Sequence, residues 1–233
     1  MSQDVWRRVD RYIEDTFIPA DPDLDEVLAA ATRADLPPEH VAPNQGKLLS
    51  ILAKAIHARS ILEIGTLAGY STIWLARALE PGGRLVTLEA DPRHAEVALK
   101  NVLRVGLGGV DDIRLGPALK TLPTLRKEIQ GGFDFVFIDA DKGNNSMYFD
   151  WALELTHTGS LIVADNVIRA GEILRQDGQD ERVTGVRNGN AAMGGNLCVM
   201  ATALQTVGIK GHDGFAIALV IGCRHTEPNS KAD

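Results

Sequence analysis

Two apolar runs in this chain stop at an acid. The run FDFVFI (133–138) leads into Asp139, and LIVA (161–164) leads into Asp165, which Asn166 follows. Runs of this kind form buried strands, so both carboxylates fall at strand carboxyl ends, where the crevice of an open α/β sheet lies. A carboxylate buried there without a partner is costly. Asp139, Asp165 and Asn166 together offer oxygen donors, the set that hard divalent cations such as Mg2+ or Ca2+ prefer. The plainer reading makes each the cap of a following helix, and it explains them one at a time. Lys142 lies three residues past Asp139 and reaches the same rim. Beside a bound dication in an enclosed site, a lysine gives up its proton more readily, which suits it to act as a general base.

A second constellation lies in ILEIGTLAGYS (61–71). Gly65 and Gly69 let the backbone turn sharply, and free amides at the helix start that follows favour an anionic group. The phosphate-binding G-x-G-x-x-G spacing is missing, and Leu67 would obstruct a pyrophosphate. Glu89 closes the next strand, 24 residues after Gly65, where a carboxylate can accept hydrogen bonds from two ribose hydroxyls.

These residues need a sheet to hold them. From residue 59 onward, short strands (60–65, 84–89, 112–115, 133–139, 159–164) alternate with amphipathic helical stretches (70–79, 92–105, 118–129, 145–156). That pattern builds a mostly parallel sheet with helices on both faces, an α/β fold. The runs 201–208 and 215–222 are joined by a short Gly-containing segment that cannot hold a crossover helix, so the last strand should run antiparallel. Before the first strand, helices are expected over 24–34 and 46–58, parted by prolines at 37, 38 and 43. Residues 1–58 thus form a helical cap and 59–223 the core of one domain spanning 1–233. The segment 182–196 sits where a helix is due, although its four glycines weaken one.

Composition removes whole classes. The net charge of −7 opposes a partner bound through its phosphates, and 45% hydrophobic residues exclude a disordered or fibrous chain. No apolar stretch reaches membrane or signal-peptide length, which points to a cytoplasmic protein with neither nucleic acid nor membrane as partner. Cys198 and Cys223 read as small buried hydrophobes, without a disulfide framework or zinc site.

The quoted motifs, in this order and spacing, resemble the cation-dependent S-adenosylmethionine (SAM) O-methyltransferases that include the catechol and caffeoyl-CoA enzymes. The resemblance runs from about Val41 to Gly222. It implies a Rossmann-like class I methyltransferase, with a seven-stranded sheet whose final strand is reversed, and a homodimer. It places SAM contacts at Val41, Glu63, Gly65, Thr66, Ser71, Glu89, Ala118 and Asp139. The metal, Mg2+ before Ca2+ or Mn2+, falls to Asp139, Asp165 and Asn166, and the general base to Lys142. The implied reaction moves a methyl group from SAM to one hydroxyl of a small phenolic acceptor with vicinal oxygens. The chain departs from the plant hydroxycinnamoyl-CoA enzymes after the Asp-Asn pair, where Arg169-Ala170-Gly171 replaces a Trp-Asn before Gly. Arg169 there suits an acceptor bearing a carboxylate or another anionic group. A nicotinamide oxidoreductase is opposed by Leu67 and by the lack of a hydride-transfer constellation. A non-catalytic SAM-binding scaffold would have no use for Lys142 or the three oxygen donors.

Overall fold

The computed structural model describes residues 2–108, 111–175 and 180–222; Cys223 and the polar tail lie outside them. Three helices precede the sheet: α1 (Gln3–Phe17), α2 (Pro22–Arg33) and α3 (Pro43–Ala55). Proline opens α2 and α3, where a missing N–H costs nothing, and Asp21 caps α2 by accepting from the amides of Asp23 and Leu24. Helix α1 was not among the expected elements. Its apolar residues Val5, Val9, Tyr12 and Phe17 recur at helical spacing yet stay exposed, while Asp10 is its one buried side chain. This inverts the usual sign of an amphipathic helix.

The strands are β1 (Ser60–Ile64), β2 (Arg84–Glu89), β3 (Asp111–Leu115), β4 (Phe133–Ile138), β5 (Thr156–Asp165), β6 (Val199–Gly208) and β7 (Gly211–Val220). Helices α4 (Tyr70–Ala76), α5 (Pro92–Arg104), α6 (Ala118–Glu128), α7 (Asn145–Glu154) and α8 (Glu181–Gly194) fill the intervals. The sheet order is β3-β2-β1-β4-β5-β7-β6, parallel except for β7, which pairs antiparallel with both β5 and β6. The reversed last strand is therefore present. The loop expected over 209–214 is only Ile209-Lys210, since Gly208 already pairs with Gly211. A two-residue hairpin extends both strands.

Side chains alternate across the sheet. Leu62, Val86 and Val136 pack with α6, α7 and α8 in one core, while Ile61, Leu85 and Phe135 pack with α2, α3, α4 and α5 in the other. Helices thus cover both faces, and their order reverses between β1 and β4, which opens a crevice at those strand ends. Cys198 departs from expectation: it is half-buried and disulfide-bonded, at the open end of the β6–β7 ladder. Among the described residues, no helix is long and apolar enough to cross a membrane.

Candidate functional site

The crevice begins where β1 and β4 end. The Asp139 amide donates to the Ile64 carbonyl at 2.8 Å. Gly65 lies at φ +100°, and a side chain there would meet the Asp139 carbonyl oxygen at 2.0 Å. Only glycine permits both that angle and that approach. The loop from Gly65 to Gly69 is gathered by Glu89, whose Oε2 accepts from the amides of Thr66 (3.2 Å) and Leu67 (2.8 Å). Oε1 accepts from the Asp91 amide at 2.9 Å. Three amides leave part of the carboxylate's acceptor capacity open towards the cavity.

Val41, Gly65, Thr66, Ser71, Glu89 and Ala118, drawn from four parts of the chain, line one cavity of about 920 Å3. Asp139, Lys142, Asp165 and Asn166 line the same cavity. Glu63 does not. Its side chain is fully buried beneath the loop, where Ser71 Oγ (2.6 Å), Thr72 Oγ1 and Thr87 Oγ1 (2.7 Å) all donate to its carboxylate. Burial pushes its pKa up to about 7 even against three donors. Glu63 therefore orients Ser71 and the first turn of α4, and does not face the cavity.

At the rim, Lys142 is buried and its Nζ donates to Asp139 Oδ1 at 2.7 Å. Asp165 is also buried. Burial, then the nearby Asp139 charge, raises its pKa, while Lys142 and hydrogen bonds from Gln45 and the Asn166 amide oppose the rise. Asn166 stands at φ +59°, a left-handed conformation that asparagine tolerates better than most residues. Among the described residues, no three His, Cys, Asp or Glu side chains gather at ligating distance. A cation at this rim would need a neutral donor such as the Asn166 amide beside the two carboxylates.

The supporting contacts come from far along the chain. Asp213 Oδ1 accepts from the amides of Ile168 (3.0 Å), Arg169 (2.9 Å) and Gly214 (3.0 Å), which ties β7 to the loop that carries Asn166. Asn190 Nδ2 on α8 donates to the Val167 carbonyl at 2.9 Å. Asp141 accepts from the Tyr148 hydroxyl and from Asn144 Nδ2. The cap contributes Asp10 and His40 to the lining. None of Asp10, Gln45, Asp141, Tyr148 and Asp213 was singled out from sequence. The Asp213-Gly214 pair carried a turn signal that was attributed to the hairpin loop instead.

The glycines of α8 now have a reason. A Cβ on Gly185 would stand 2.1 Å from the Lys142 carbonyl oxygen, and one on Gly189 would stand 2.9 Å from Asn145 Cβ. They let the helix backbone close against the turn that carries Lys142, whereas Gly194 has nothing within 4 Å. Gly185→Ala is expected to cost about 1–3 kcal/mol of stability by overpacking, and to lower kcat by shifting Lys142. Gly194→Ala should be neutral or stabilising. Thermal melts and turnover of the two variants side by side test this; equal behaviour would contradict it.

Comparison with known proteins agrees with this geometry. A family model described as O-methyltransferase matches residues 16–216. The chain is 50% identical over 220 residues to the catechol O-methyltransferase of Niastella koreensis, an overlap of 94% of this chain and 100% of that one. It is 51% identical over 212 residues to the catechol O-methyltransferase of Mycobacterium tuberculosis, an overlap of 91% and 94%. The solved O-methyltransferase from Bacillus cereus in complex with SAH has a TM-score of 0.92 at 49% identity, covering 94% of this chain and 100% of that one. With a reversed-strand Rossmann-like sheet, a cavity at its switch point and a family match over most of its length, the chain belongs to the O-methyltransferase family and is a SAM-dependent O-methyltransferase.

Proposed function

We propose that this enzyme methylates one hydroxyl of a vicinal diphenol, with a divalent cation, Mg2+ foremost, held by Asp139, Asp165 and Asn166. The observation that carries this reading is the pair of acids at neighbouring strand ends, with an amide beside one and Lys142 on the other. The donor set fits such an ion. The buried Asp165 and the half-buried Asp139 repel each other and leave an excess of negative charge that Lys142 only half offsets, and the Asn166 carbonyl adds a neutral oxygen. A cation bound there supplies Lewis acidity, which lowers the pKa of a phenolic hydroxyl.

The chain's own residues do the rest. Gly65, Thr66, Ser71, Val41 and Ala118 hold SAM, with Glu89 on its ribose and Glu63 acting through Ser71. With a cation at the neighbouring carboxylates, Lys142 Nζ would release its own proton to solvent and, as the neutral amine, would take the proton from the acceptor hydroxyl. The phenolate oxygen then forms its bond to the methyl carbon as the sulfur–methyl bond breaks, and S-adenosylhomocysteine leaves. The cavity holds donor and acceptor in line, which removes most of the entropic cost of their meeting. Catechol should be methylated while phenol and guaiacol, which lack a second free hydroxyl, should not. Product-identified transfer of a labelled methyl group tests this, and equal use of phenol would sink the vicinal reading.

Glu89→Ala should weaken SAM binding by about 10- to 100-fold, the worth of hydrogen bonds to a charged group plus a loosened loop. Calorimetry with SAM measures it; an unchanged Kd would remove Glu89 from the cofactor site.

We also propose a homodimer. Edge strand β6 exposes Met200, Leu204 and Val207, and α1, which packs on it, exposes Val9 and Tyr12. An apolar edge strand of this kind invites pairing unless it is covered. Sedimentation of the intact chain as a monomer at micromolar concentration would refute it.

A further inference from the structure

We propose that the acceptor carries a carboxylate, held by Arg169 and Lys210 at the acceptor side of the cavity. The inference rests on the diphenol reading above and names the substituent that such a diphenol bears.

The basis is the balance of charge around the cavity. Three of the acids lining this side are already engaged, Asp213 by three amides, Asp141 by Tyr148 and Asn144, and Asp10 by Asn44 Nδ2 (3.2 Å) and the Ile209 amide (2.5 Å), while Glu39 is exposed and among the described residues forms no ion pair. Among the bases, Lys142 is paired with Asp139 and Arg182 with Asp180. Arg169 and Lys210 differ. Both line the cavity, Arg169 half-buried and Lys210 exposed, and among the described residues neither forms an ion pair.

Each is also held in place. The Lys210 ammonium donates to the Pro38 carbonyl at 2.9 Å and lies 3.5 Å from His40 Nε2. His40 adds no charge there, since burial holds its pKa near 4; desolvation lowers the Lys210 pKa, and the nearby Glu39 charge opposes that without pairing with it. Arg169 stands at φ +53°, a costly angle for a long side chain, and Asp213 sustains it by binding its amide. Asp213 lies three residues past Lys210 on the same hairpin, so one ribbon sets both cations. Arg169 is in turn three residues past Asn166. A half-buried guanidinium without an ion-pair partner is expensive, and with the Lys210 ammonium on the same cavity wall it suits an anion that arrives with the ligand. The planar guanidinium fork matches a carboxylate, and the lysine supplies a second charge. The volume of about 920 Å3 must also hold SAM, which leaves room for a compact diphenol acid.

The test compares 3,4-dihydroxybenzoate, its methyl ester and catechol as acceptors of the full chain with SAM and Mg2+. The acid should exceed the ester in kcat/KM by about tenfold or more. In Arg169→Gln/Lys210→Met, that ratio should fall to about one. Equal use of acid and ester by the wild-type chain overturns this inference alone and needs no variant to fold. A raised KM for SAM in the double variant, with the acid-to-ester ratio intact, would mean that these cations hold the carboxylate of SAM itself, and also overturns it. Methylation of none of the three overturns the diphenol reading together with this inference.

Discussion

Asp165→Ala is expected to lower kcat/KM for catechol by about three orders of magnitude, the effect of losing several kcal/mol of Lewis-acid stabilisation at about 1.4 kcal/mol per tenfold. The variant removes one of two anionic donors from the proposed cation site and leaves Asp139, already bonded to Lys142, with only the Asn166 amide. Folding should survive. Asp165 is a buried carboxylate beside the half-buried Asp139, so deleting it relieves like-charge repulsion and removes a charge that burial already disfavours. Activity and melting temperature measured together separate the two effects. Activity within tenfold of wild type in a well-folded Asp165→Ala chain would refute its role.

Lys142→Met comes next, with an expected loss in kcat of about 10²- to 10⁴-fold, the usual worth of a positioned base. Methionine keeps the buried apolar stem and removes only the ammonium. The SAM affinity should therefore change little while turnover collapses. The pH profile gives a second readout: the variant's rate should keep climbing with pH, because the acceptor hydroxyl then ionises without help. An unchanged kcat, or a profile that superposes on wild type, would take the role of base away from Lys142.

What could be read in advance follows from how local each signal is. Asp139 and Asp165 were legible because an apolar run that stops at an acid marks a strand end, and the sheet put both at one rim as expected. Glu63 falls on the expected strand, but its side chain lies beneath the loop and not on the cavity wall. Its neighbours in register show why: Glu63 pairs beside Thr87, so its carboxylate meets the hydroxyls of Thr87, Ser71 and Thr72 before it can reach a ligand. The α8 glycines looked like flaws in a helix, since what they make room for, the Lys142 turn, lies about forty residues away. Asp10 and Asp213 were invisible for the same reason. Their partners are amides 199 and 44 to 45 residues distant, and no pattern within a strand or helix foretells such a bond. Helix α1 escaped because its apolar residues face outward, where periodicity signals a covering partner and not a core.

The central claim is that a divalent cation at Asp139, Asp165 and Asn166 drives methyl transfer to a vicinal diphenol. Its most direct test is transfer of a labelled methyl group from SAM to catechol by chain stripped with chelator, then titrated with Mg2+. No product in chelator and full recovery on adding Mg2+, with no recovery in Asp165→Ala, is the expected result. Undiminished product in excess chelator would contradict it.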